Sequence, residues 1–349
     1  MRPIVHRPIA AILFTTLLGL VAIFPGWLSP LAFAGPDVPP PPPPPSKLRH
    51  VSFTYQVTIP TLDRSAKHLD LWLPMPRQDS HQTVTALTIH SPLHHRIVAL
   101  KSFGNRAIYL SADAPLPASV SVTMTFHVTR RAWAANLRRA GEAKSEPADG
   151  ALAPELQANA LVPTSGKIEQ VAMQVVPAGR PVQQARAIYD YVVKVMKYNE
   201  NAKGGGHGDA LWVCDHHEGV CTDFHSLFVA LARSRGIPAQ FIFGFPLDKV
   251  GSETIDGYHC WAEFYSGGVW VPVDASEAWL APKYHDFYFG HLDADRVAFT
   301  QGRDLELTPP QHGKPLNYFI YPYAELDGQP LIGDQVKLTT SYRDLGQGR

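Results

Sequence analysis

The sequence predicts an α+β protein in which a β-rich part precedes a part that mixes helices and strands. Short segments of alternating apolar and polar residues between 51 and 128, separated by Pro, Gly, Asp and Asn, are typical of antiparallel strands. Residues 181–198 and 221–238 instead carry apolar side chains at helical spacing. Two strand-like runs then flank Gly267 and Gly268, a pair typical of a two-residue hairpin turn.

The N-terminal residues 1–34 have the pattern of a secretory signal peptide. Basic Arg2 precedes an apolar stretch over 9–24, and Ala32 and Ala34 follow at the A-x-A spacing of a cleavage site. We therefore predict cleavage after Ala34 and an exported protein, periplasmic or extracellular. An uncleaved membrane anchor is the alternative, although the apolar stretch is short for the roughly 20 residues that a membrane span needs.

The remaining sequence divides by composition into four parts. Residues 35–47 are rich in proline and predict a stiff linker. Residues 48–130 predict a β-sandwich-like domain, and residues 131–165 predict a linker with one helical piece at most. Residues 166–349 then form the second domain with a C-terminal extension.

The charge balance argues against partners that bind through a strong electrostatic field. Lys plus Arg and Asp plus Glu both number 31 in 349 residues. A chain without net charge has no general attraction to nucleic acid or to an anionic membrane surface. We therefore expect no nucleic-acid partner, and no membrane span once the signal peptide is removed.

Cys221 lies at the predicted start of a helix. The following apolar residues recur at i, i+3, i+4 and i+7 and predict a buried stripe: Phe224, Leu227, Phe228 and Leu231. Unpaired backbone N–H groups and the positive end of the helix dipole favour a thiolate in a first turn. The residue type alone favours an inert buried cysteine instead, so both interpretations stay open here.

The hairpin register predicts an acidic partner for His259. If Ser266 faces Val269 across the turn, then Trp261 faces Asp274. His259 lies two residues from Trp261 and therefore on the same face, as a diagonal neighbour of Asp274. A nucleophilic cysteine needs a base and a group that orients the base, and these residues supply both.

Three motifs around these residues resemble those of a known family. "GVCTDFHSLFVALARSRGIPAQF", "YHCWAEFY" and "GVWVPVDASEAW" are similar to the core motifs of the transglutaminase-like superfamily. The resemblance covers roughly residues 180–330 and implies a papain-like catalytic domain, with an N-terminal Cys helix packed on an antiparallel sheet. It further implies Cys221 as nucleophile, His259 as general base and acid, and Asp274 as the residue that orients His259.

The resemblance implies acyl transfer through a thioester. A cysteine peptidase or amidase acting on a protein or peptide carboxamide is the preferred activity, with protein-glutamine transamidation second. A non-catalytic binding module is the alternative from another class, although all three triad positions carry the residue types that the chemistry needs. We expect no cofactor. The Cys221 backbone N–H is the first candidate oxyanion donor and Trp212 the second.

Aromatic residues around the motifs are candidates for the cleft wall. Trp261, Trp270, Trp279 and Tyr258 are predicted there, although such a set is equally typical of a core. Residues 201–209, "NAKGGGHGD", predict a flexible glycine loop with a solvated His207.

Two neighbours of Cys221 on its helix need separate interpretation. His225 lies four residues later on one helical face and competes as a base, but the sequence offers it no obvious acidic partner. We expect it to pack against the site or support it. Asp223 lies in the first turn, where a carboxylate is favoured by the helix dipole as a capping residue.

The other cysteines and histidines allow two further hypotheses. Cys214, His216, His217 and Cys221 crowd within eight positions and suggest a zinc site, but the paired C-x-x-C spacing is absent. A disulfide between Cys214 and Cys260 would leave Cys221 as the one free thiol of an exported protein. Two unpaired, buried cysteines are the alternative.

Overall fold

The computed structural model describes residues 46–142 and 150–346. The predicted signal peptide (1–34) and all but the last two residues of the proline-rich linker (35–47) lie outside the described residues. Among the described helices, none has the length and apolar character required to cross a bilayer.

The described ranges contain helices and strands in a mixed order, with antiparallel pairing in every sheet but one. The α-helices are α1 (Leu137–Glu142), α2 (Lys167–Val175), α3 (Pro181–Val195), α4 (Ala210–His216), α5 (Cys221–Ser234) and α6 (Ala275–Leu280). The first nine strands are β1 (Leu48–Ile59), β2 (His68–Pro74), β3 (Gln82–His90), β4 (His95–Ala99), β5 (Arg106–Asp113), β6 (Val120–Arg131), β7 (Trp133–Ala134), β8 (Lys197–Tyr198) and β9 (Glu218–Gly219). The later strands are β10 (Ala239–Pro246), β11 (Ser252–Ile255), β12 (His259–Ser266), β13 (Val269–Val273), β14 (His291–Leu292), β15 (Arg296–Gln301), β16 (Tyr323–Leu326), β17 (Gln329–Pro330) and β18 (Lys337–Asp344).

Two five-stranded sheets account for the β-rich part, with strand orders β11-β18-β1-β6-β3 and β17-β16-β2-β5-β4. The five segments with alternating patterns are strands, as predicted, and correspond to β1, β2, β3, β5 and β6. The pattern did not reveal β4, because only one of its five residues is buried and its alternation is correspondingly weak.

Strands from late in the chain complete both sheets. β18 pairs with β1 over eight residues, from Val51 opposite Asp344 to Thr58 opposite Lys337. β16 pairs with β2 in the second sheet. β6 pairs with one edge of β1 and β18 pairs with the other edge, so β1 has no row of unpaired backbone groups. Backbone hydrogen bonds thus join the β-rich part to β16 and β18, which come from the C-terminal part of the predicted second domain.

The segment that carries Cys221, His259 and Asp274 contains the antiparallel sheet β13-β12-β10-β15, against which helices pack. α5 lies against this sheet, and the Phe228 and Phe264 rings are 6.2 Å apart. The predicted stripe is fully buried. The rest of the helix is also buried up to Arg233, because α2, α3 and α4 pack on its other sides. α5 is therefore a central helix rather than an amphipathic surface helix.

α3 begins at Pro181 as predicted, with Ala185, Ile188, Tyr189 and Val192 buried. It ends at Val195 instead of continuing to 198. The next residues form β8, which pairs in parallel with β9 immediately before α5. This short pairing ties the residues that follow α3 to the residues just before the helix that carries Cys221.

Candidate active site

Cys221 is the first residue of α5, and its sulfur lies at the positive end of a 14-residue helix. The residue is 3 % exposed. As the first helical residue, its backbone N–H has no intrahelical acceptor. Both the free N–H and the helix dipole favour negative charge at this position, so the surroundings suit a thiolate.

Asp223 fixes the start of α5, as the predicted capping residue. Its carboxylate accepts the Val220 N–H at 2.9 Å and the N–H groups of Gly206 and Gly208 at 2.7 and 3.0 Å. A Cβ at Gly219, where φ is +140°, would collide with the same carboxylate. The glycine loop 201–209 is thus tied to the mouth of the helix by its backbone.

The predicted hairpin is present with the expected register. Ser266 lies opposite Val269, and the two turn glycines have φ values of +62° and +78°. His259 begins β12 and Asp274 directly follows β13, and His259 Nε2 lies 2.8 Å from Asp274 Oδ2. Because Asp274 occupies Nε2, Nδ1 is the ring nitrogen available to Cys221, which is close enough to help raise the pKa of His259.

Asp274 is fully buried and every side of its carboxylate is occupied. Oδ2 accepts from Arg296 Nη1 at 2.6 Å in addition to His259. Oδ1 accepts from the Ser276 hydroxyl at 2.9 Å and from the Glu277 N–H at 3.0 Å, which caps α6. Burial by itself would raise the pKa of Asp274, but the charges of His259 and Arg296 hold it well below its usual range.

The electrostatics of Cys221 and His259 complement each other. The neighbouring Cys260 thiol and then His259 lower the pKa of the Cys221 thiol, against the opposing effect of burial. Burial tends to lower the pKa of His259, but Asp274 and Cys221 outweigh it and raise that pKa. Opposite shifts of this kind favour a thiolate paired with an imidazolium.

His225 has an acidic neighbour that the sequence did not reveal. Its Nε2 accepts the Ala275 N–H at 3.1 Å and lies 3.6 Å from Asp274 Oδ1. Its Nδ1 lies 2.8 Å from the Cys221 carbonyl, to which it donates. Both nitrogens are therefore used by the fold, and burial lowers the pKa of His225. Asp274 is thus a close neighbour of His225 rather than its hydrogen-bond partner, and a supporting role agrees with these contacts.

The disulfide between Cys214 and Cys260 is not formed, and all three cysteines are free and buried. Cys260 faces α5, where its thiol donates to Thr222 Oγ1 at 3.6 Å and its sulfur lies 3.8 Å from His225 Nδ1. The alternation of β12 does turn Cys260 to the opposite face from Trp261. His259 is the first residue of β12, at the end of the strand nearest the start of α5. Both His259 and Cys260 are therefore neighbours of Cys221.

The two tryptophan candidates lie away from the nucleophile. Trp212 stacks on His216 with 4.4 Å between ring centroids, and no described contact joins it to Cys221. Trp261 is 1 % exposed and points to the face of the sheet opposite α5, although its ring centroid is 6.1 Å from that of His259. Trp270 lines the same rear face. The strand alternation that pairs His259 with Asp274 also carries Trp261 behind the sheet.

Tyrosines, most of them from outside the motifs, surround Cys221. The Tyr258 hydroxyl is hydrogen-bonded to Thr222 Oγ1 beside the nucleophile. The Tyr258 ring packs against Tyr318 at 5.3 Å and Tyr321 at 5.7 Å, and Tyr321 is 42 % exposed. Of the predicted cleft aromatics, Tyr258 therefore lies beside Cys221, and the other two rings of this wall come from a distant part of the chain.

Trp279 lies on another side of the helix mouth. Its ring centroid is 6.4 Å from that of Tyr198 and 6.5 Å from that of Phe224. Tyr198 belongs to β8, whereas the periodicity of residues 181–198 predicts a helix at this position. Its position beside the site follows from the β8 and β9 pairing.

The suggested zinc ligands do not converge. Among the described residues, no group of three or more His, Cys, Asp or Glu side chains has the arrangement of a metal site. His216 Nδ1 is bonded to the Trp212 carbonyl at 2.8 Å, and His217 ends α4 in a left-handed conformation with φ of +53°. Cys221 instead contacts His259 and Cys260.

Arg296 is the main member of this site that sequence reasoning missed. It is buried in β15, where it pairs with Asp293 as well as Asp274, at 2.9 and 2.6 Å. No local pattern signals its role, because its contact with Asp274 arises from the packing of two chain segments rather than from spacing within one.

Comparison with known proteins agrees with this geometry. The sequence profile of the Transglutaminase-like superfamily matches residues 169–275, which include Cys221, His259 and Asp274. The segment of the chain that carries these three residues belongs to this superfamily. Among curated relatives, an uncharacterized protein of Haemophilus influenzae is 28 % identical over 342 residues, covering 86 % of this chain and 91 % of the relative. An uncharacterized protein of Mycobacterium leprae is 27 % identical over 133 residues, covering 37 % of this chain and 47 % of the relative.

A solved structure shares the fold of this chain across most of its length. The crystal structure of a "putative cysteine protease" from Cytophaga hutchinsonii superposes with a TM-score of 0.57 and 17 % sequence identity. The match covers 86 % of this chain and 94 % of that one. The similarity therefore includes the β-rich part as well as the segment matched by the superfamily profile.

Proposed function

We propose that this protein is a thiol-dependent hydrolase that cleaves a carboxamide bond in protein or peptide substrates, as a cysteine peptidase or amidase. The observation that carries the proposal is the linked series Cys221, His259 and Asp274 at the start of a buried helix. The Cytophaga hutchinsonii structure with this fold is itself named for a cysteine protease activity, which supports the same class of reaction.

In the first half of the reaction, the Cys221 thiolate attacks the carbonyl carbon of the scissile amide. The carbonyl oxygen becomes an oxyanion, and the Cys221 backbone N–H at the helix start is its first candidate donor. His259 then gives its Nδ1 proton to the leaving nitrogen as the C–N bond breaks. An amine leaves, and a thioester between Cys221 and the acyl group remains.

In the second half, His259 acts as a base towards water. The neutral imidazole accepts a proton through Nδ1 while the water oxygen attacks the thioester carbonyl. The C–S bond breaks, the acid product leaves, and the thiolate and imidazolium pair is restored. Asp274 stabilises the imidazolium through Nε2, and Arg296 and Ser276 keep the carboxylate in position.

The tyrosines beside Cys221 support a substrate with an apolar or aromatic group near the scissile bond. Tyr258, Tyr318 and Tyr321 form a continuous aromatic wall from the buried nucleophile to the surface. Aromatic rings of this kind provide apolar contact area together with polar edges. The signal-like N-terminus supports action outside the cytoplasm, which sequencing the N-terminus of the mature protein would test.

The experiment is incubation of the protein with a mixed peptide library in water enriched in ¹⁸O, with mass spectrometry of the products. Hydrolysis places one ¹⁸O in each new carboxyl group, and we expect Cys221→Ala to lower the rate at least about 10³-fold. Cys214→Ala is the matched control, since Cys214 is also a buried free thiol but lies on α4.

A second arm adds a primary amine probe to the same mixture. If the amine couples to glutamine side chains and no ¹⁸O is taken up, the activity is transamidation and not the proposed hydrolysis. Equal turnover by the wild-type protein and Cys221→Ala would remove Cys221 from the mechanism. A protein that gives neither product, and forms no thioester with an activated ester, would support a binding module.

A further inference from the structure

A cavity of about 320 Å³ lies behind the catalytic sheet, on the face opposite α5. One wall consists of rear-facing residues of the sheet, and the other consists of residues from the β2 to β3 connection, the end of β6, β7 and the 152–155 segment. The residues used below are Asp79, Arg130, Trp133, Glu155, Trp261 and Glu263. Nothing in the proposed reaction uses this cavity.

Three buried polar atoms around the cavity lack hydrogen-bond partners among the described residues: Arg130 Nε, Glu155 Oε2 and Trp261 Nε1. The three residues are 2 %, 8 % and 1 % exposed. A buried polar atom without a partner loses its hydration without compensation, so native structures contain few of them. Three around one cavity indicate that a bound group supplies the missing bonds.

Arg130 differs from the other buried arginines of the described chain. Arg49, Arg233, Arg296 and Arg303 each donate at least three side-chain hydrogen bonds to carbonyl, amide or carboxylate oxygens. The nearest carboxylate oxygen to Arg130 is Asp79 Oδ1, at 3.9 Å from Nη1. Its guanidinium is thus buried beside the cavity, and its Nε has no acceptor among the described residues.

The two residues with free donors are neighbours, since the Arg130 guanidinium carbon is 6.0 Å from the centre of the Trp261 ring. An oxygen acceptor with negative charge suits both. The free acceptor, Glu155 Oε2, requires a donor, and a positively charged donor suits it best. The lining carboxylates Asp79, Glu155 and Glu263 would repel a doubly charged anion such as phosphate.

A ligand with one carboxylate and one ammonium group satisfies all of these requirements. The volume lies at the lower end of the range of small-molecule sites, which suits an amino acid or a dipeptide. Trp133 and Trp261 provide apolar contact area for its side chains. A neutral sugar would leave the charge of Arg130 uncompensated.

We propose that this rear cavity binds a free α-amino acid or a dipeptide, with the ligand carboxylate on Arg130 and Trp261 and the ligand ammonium on Glu155. The site is independent of the proposed function, because none of its residues belongs to the Cys221, His259 and Asp274 series.

The experiment is a titration of the full chain followed by calorimetry and tryptophan fluorescence, with Ala-Ala as the first probe. Matched probes each remove one feature: N-acetyl-Ala-Ala lacks the ammonium, Ala-Ala amide lacks the carboxylate, and glucose and inorganic phosphate test the other ligand classes. We expect saturable binding of Ala-Ala or of a free amino acid from a panel of the common ones. Removal of either charged group is expected to weaken binding at least about tenfold, as for a lost charge-assisted hydrogen bond.

Variants assign the binding to the cavity. Arg130→Met and Glu155→Gln are each expected to raise the dissociation constant at least about tenfold, while Cys221→Ala binds as the wild type does. Thermal unfolding checks that each variant is folded, and Arg130→Lys replaces Arg130→Met if the latter is not. Equal binding of N-acetyl-Ala-Ala, or binding of glucose or phosphate in preference to Ala-Ala, would overturn the proposal. Failure of the amino-acid panel and of Ala-Ala to bind would leave a water-filled cavity and overturn it as well.

Discussion

The two faces of the sheet β13-β12-β10-β15 differ in whether their buried polar groups have hydrogen-bond partners. In front, Asp274 is fully buried and accepts four hydrogen bonds, one of them from Arg296, which Asp293 also holds. Behind, Arg130 and Glu155 are equally inaccessible, and each has an atom without a partner. Trp261 separates the two regions, with its ring 5.1 Å from the Arg296 guanidinium and 6.0 Å from that of Arg130.

Burial of polar groups therefore serves two purposes in this molecule. A fully partnered network holds its charges in a fixed arrangement, so little reorganisation is needed when charge develops during a reaction. A buried group without a partner has been desolvated in advance and gains most from a ligand that completes it. The front is thus complete without substrate, whereas the rear is complete only when occupied.

The strongest test of this comparison is the same chemical change on each face. Asp274→Asn is expected to reduce activity by about 10²- to 10⁴-fold, because the amide cannot stabilise the His259 imidazolium. It should also lower the free energy of unfolding by about 3–5 kcal/mol, as for a broken buried ion pair. Glu155→Gln is expected to change activity and stability little, within about 1 kcal/mol. Kinetics and denaturant unfolding of both variants measure this, and similar losses would end the distinction.

The pH dependence of Asp274→Asn gives a check on the same effect. The pKa of Asp274 is depressed in the folded protein. Its contribution to stability is therefore present above the unfolded value of about 3.9 and is lost as the pH falls through the lower folded value. The difference in unfolding free energy between the wild type and Asp274→Asn should accordingly narrow in strong acid.

A smaller effect separates two buried thiols of the same chain. The pKa of Cys221 is lowered by Cys260 and His259, whereas burial raises the pKa of Cys214. Below the ordinary thiol pKa of about 8.5, iodoacetamide should label Cys221 at least about tenfold faster than Cys214. His259→Ala should remove this advantage. Peptide mass mapping across pH gives both rates, and equal labelling of the two thiols at every pH would contradict the ion pair.

The smallest expected effect concerns the edge of the partnered region. Tyr258→Phe removes the hydroxyl bonded to Thr222 and should change kcat/KM by less than about tenfold, the effect of one neutral hydrogen bond. Tyr109→Phe is the control, since its hydroxyl donates to Asp70 Oδ1 at 2.5 Å between β5 and β2, in the sheet that contains neither Cys221 nor His259. A loss with Tyr258→Phe as large as that with Asp274→Asn would extend the catalytic network to the aromatic wall.

The front of the sheet was accessible to sequence reasoning because its contacts are local. Periodicity placed Cys221 at a helix start, and the glycine turn fixed the register that brings His259 to Asp274. The same reasoning failed for Arg296, whose contact depends on how separate elements pack. It also placed Trp261 in the cleft, because it did not establish which face of β12 the helix covers.

The cavity behind the sheet could not be predicted from the sequence, for a related reason. Arg130 ends a strand of the β-rich part, Glu155 lies in the predicted linker, and Trp261 belongs to a catalytic motif. No spacing within the chain relates these three residues. Only the packing of three distant segments brings them around one cavity, and their missing bonds become apparent only then.

The pairing of β1 with β18 has a consequence for how the molecule assembles. Val51 meets Asp344 in this ladder, and Arg49 is anchored by Asp295 and Asp344, so the first described strand depends on the last. Contacts that span almost the whole chain make folding slow. During synthesis, the sheet that contains β1 stays incomplete until β18 has been made. A fragment that carries the superfamily motifs alone is expected to be a poor substitute for the intact protein.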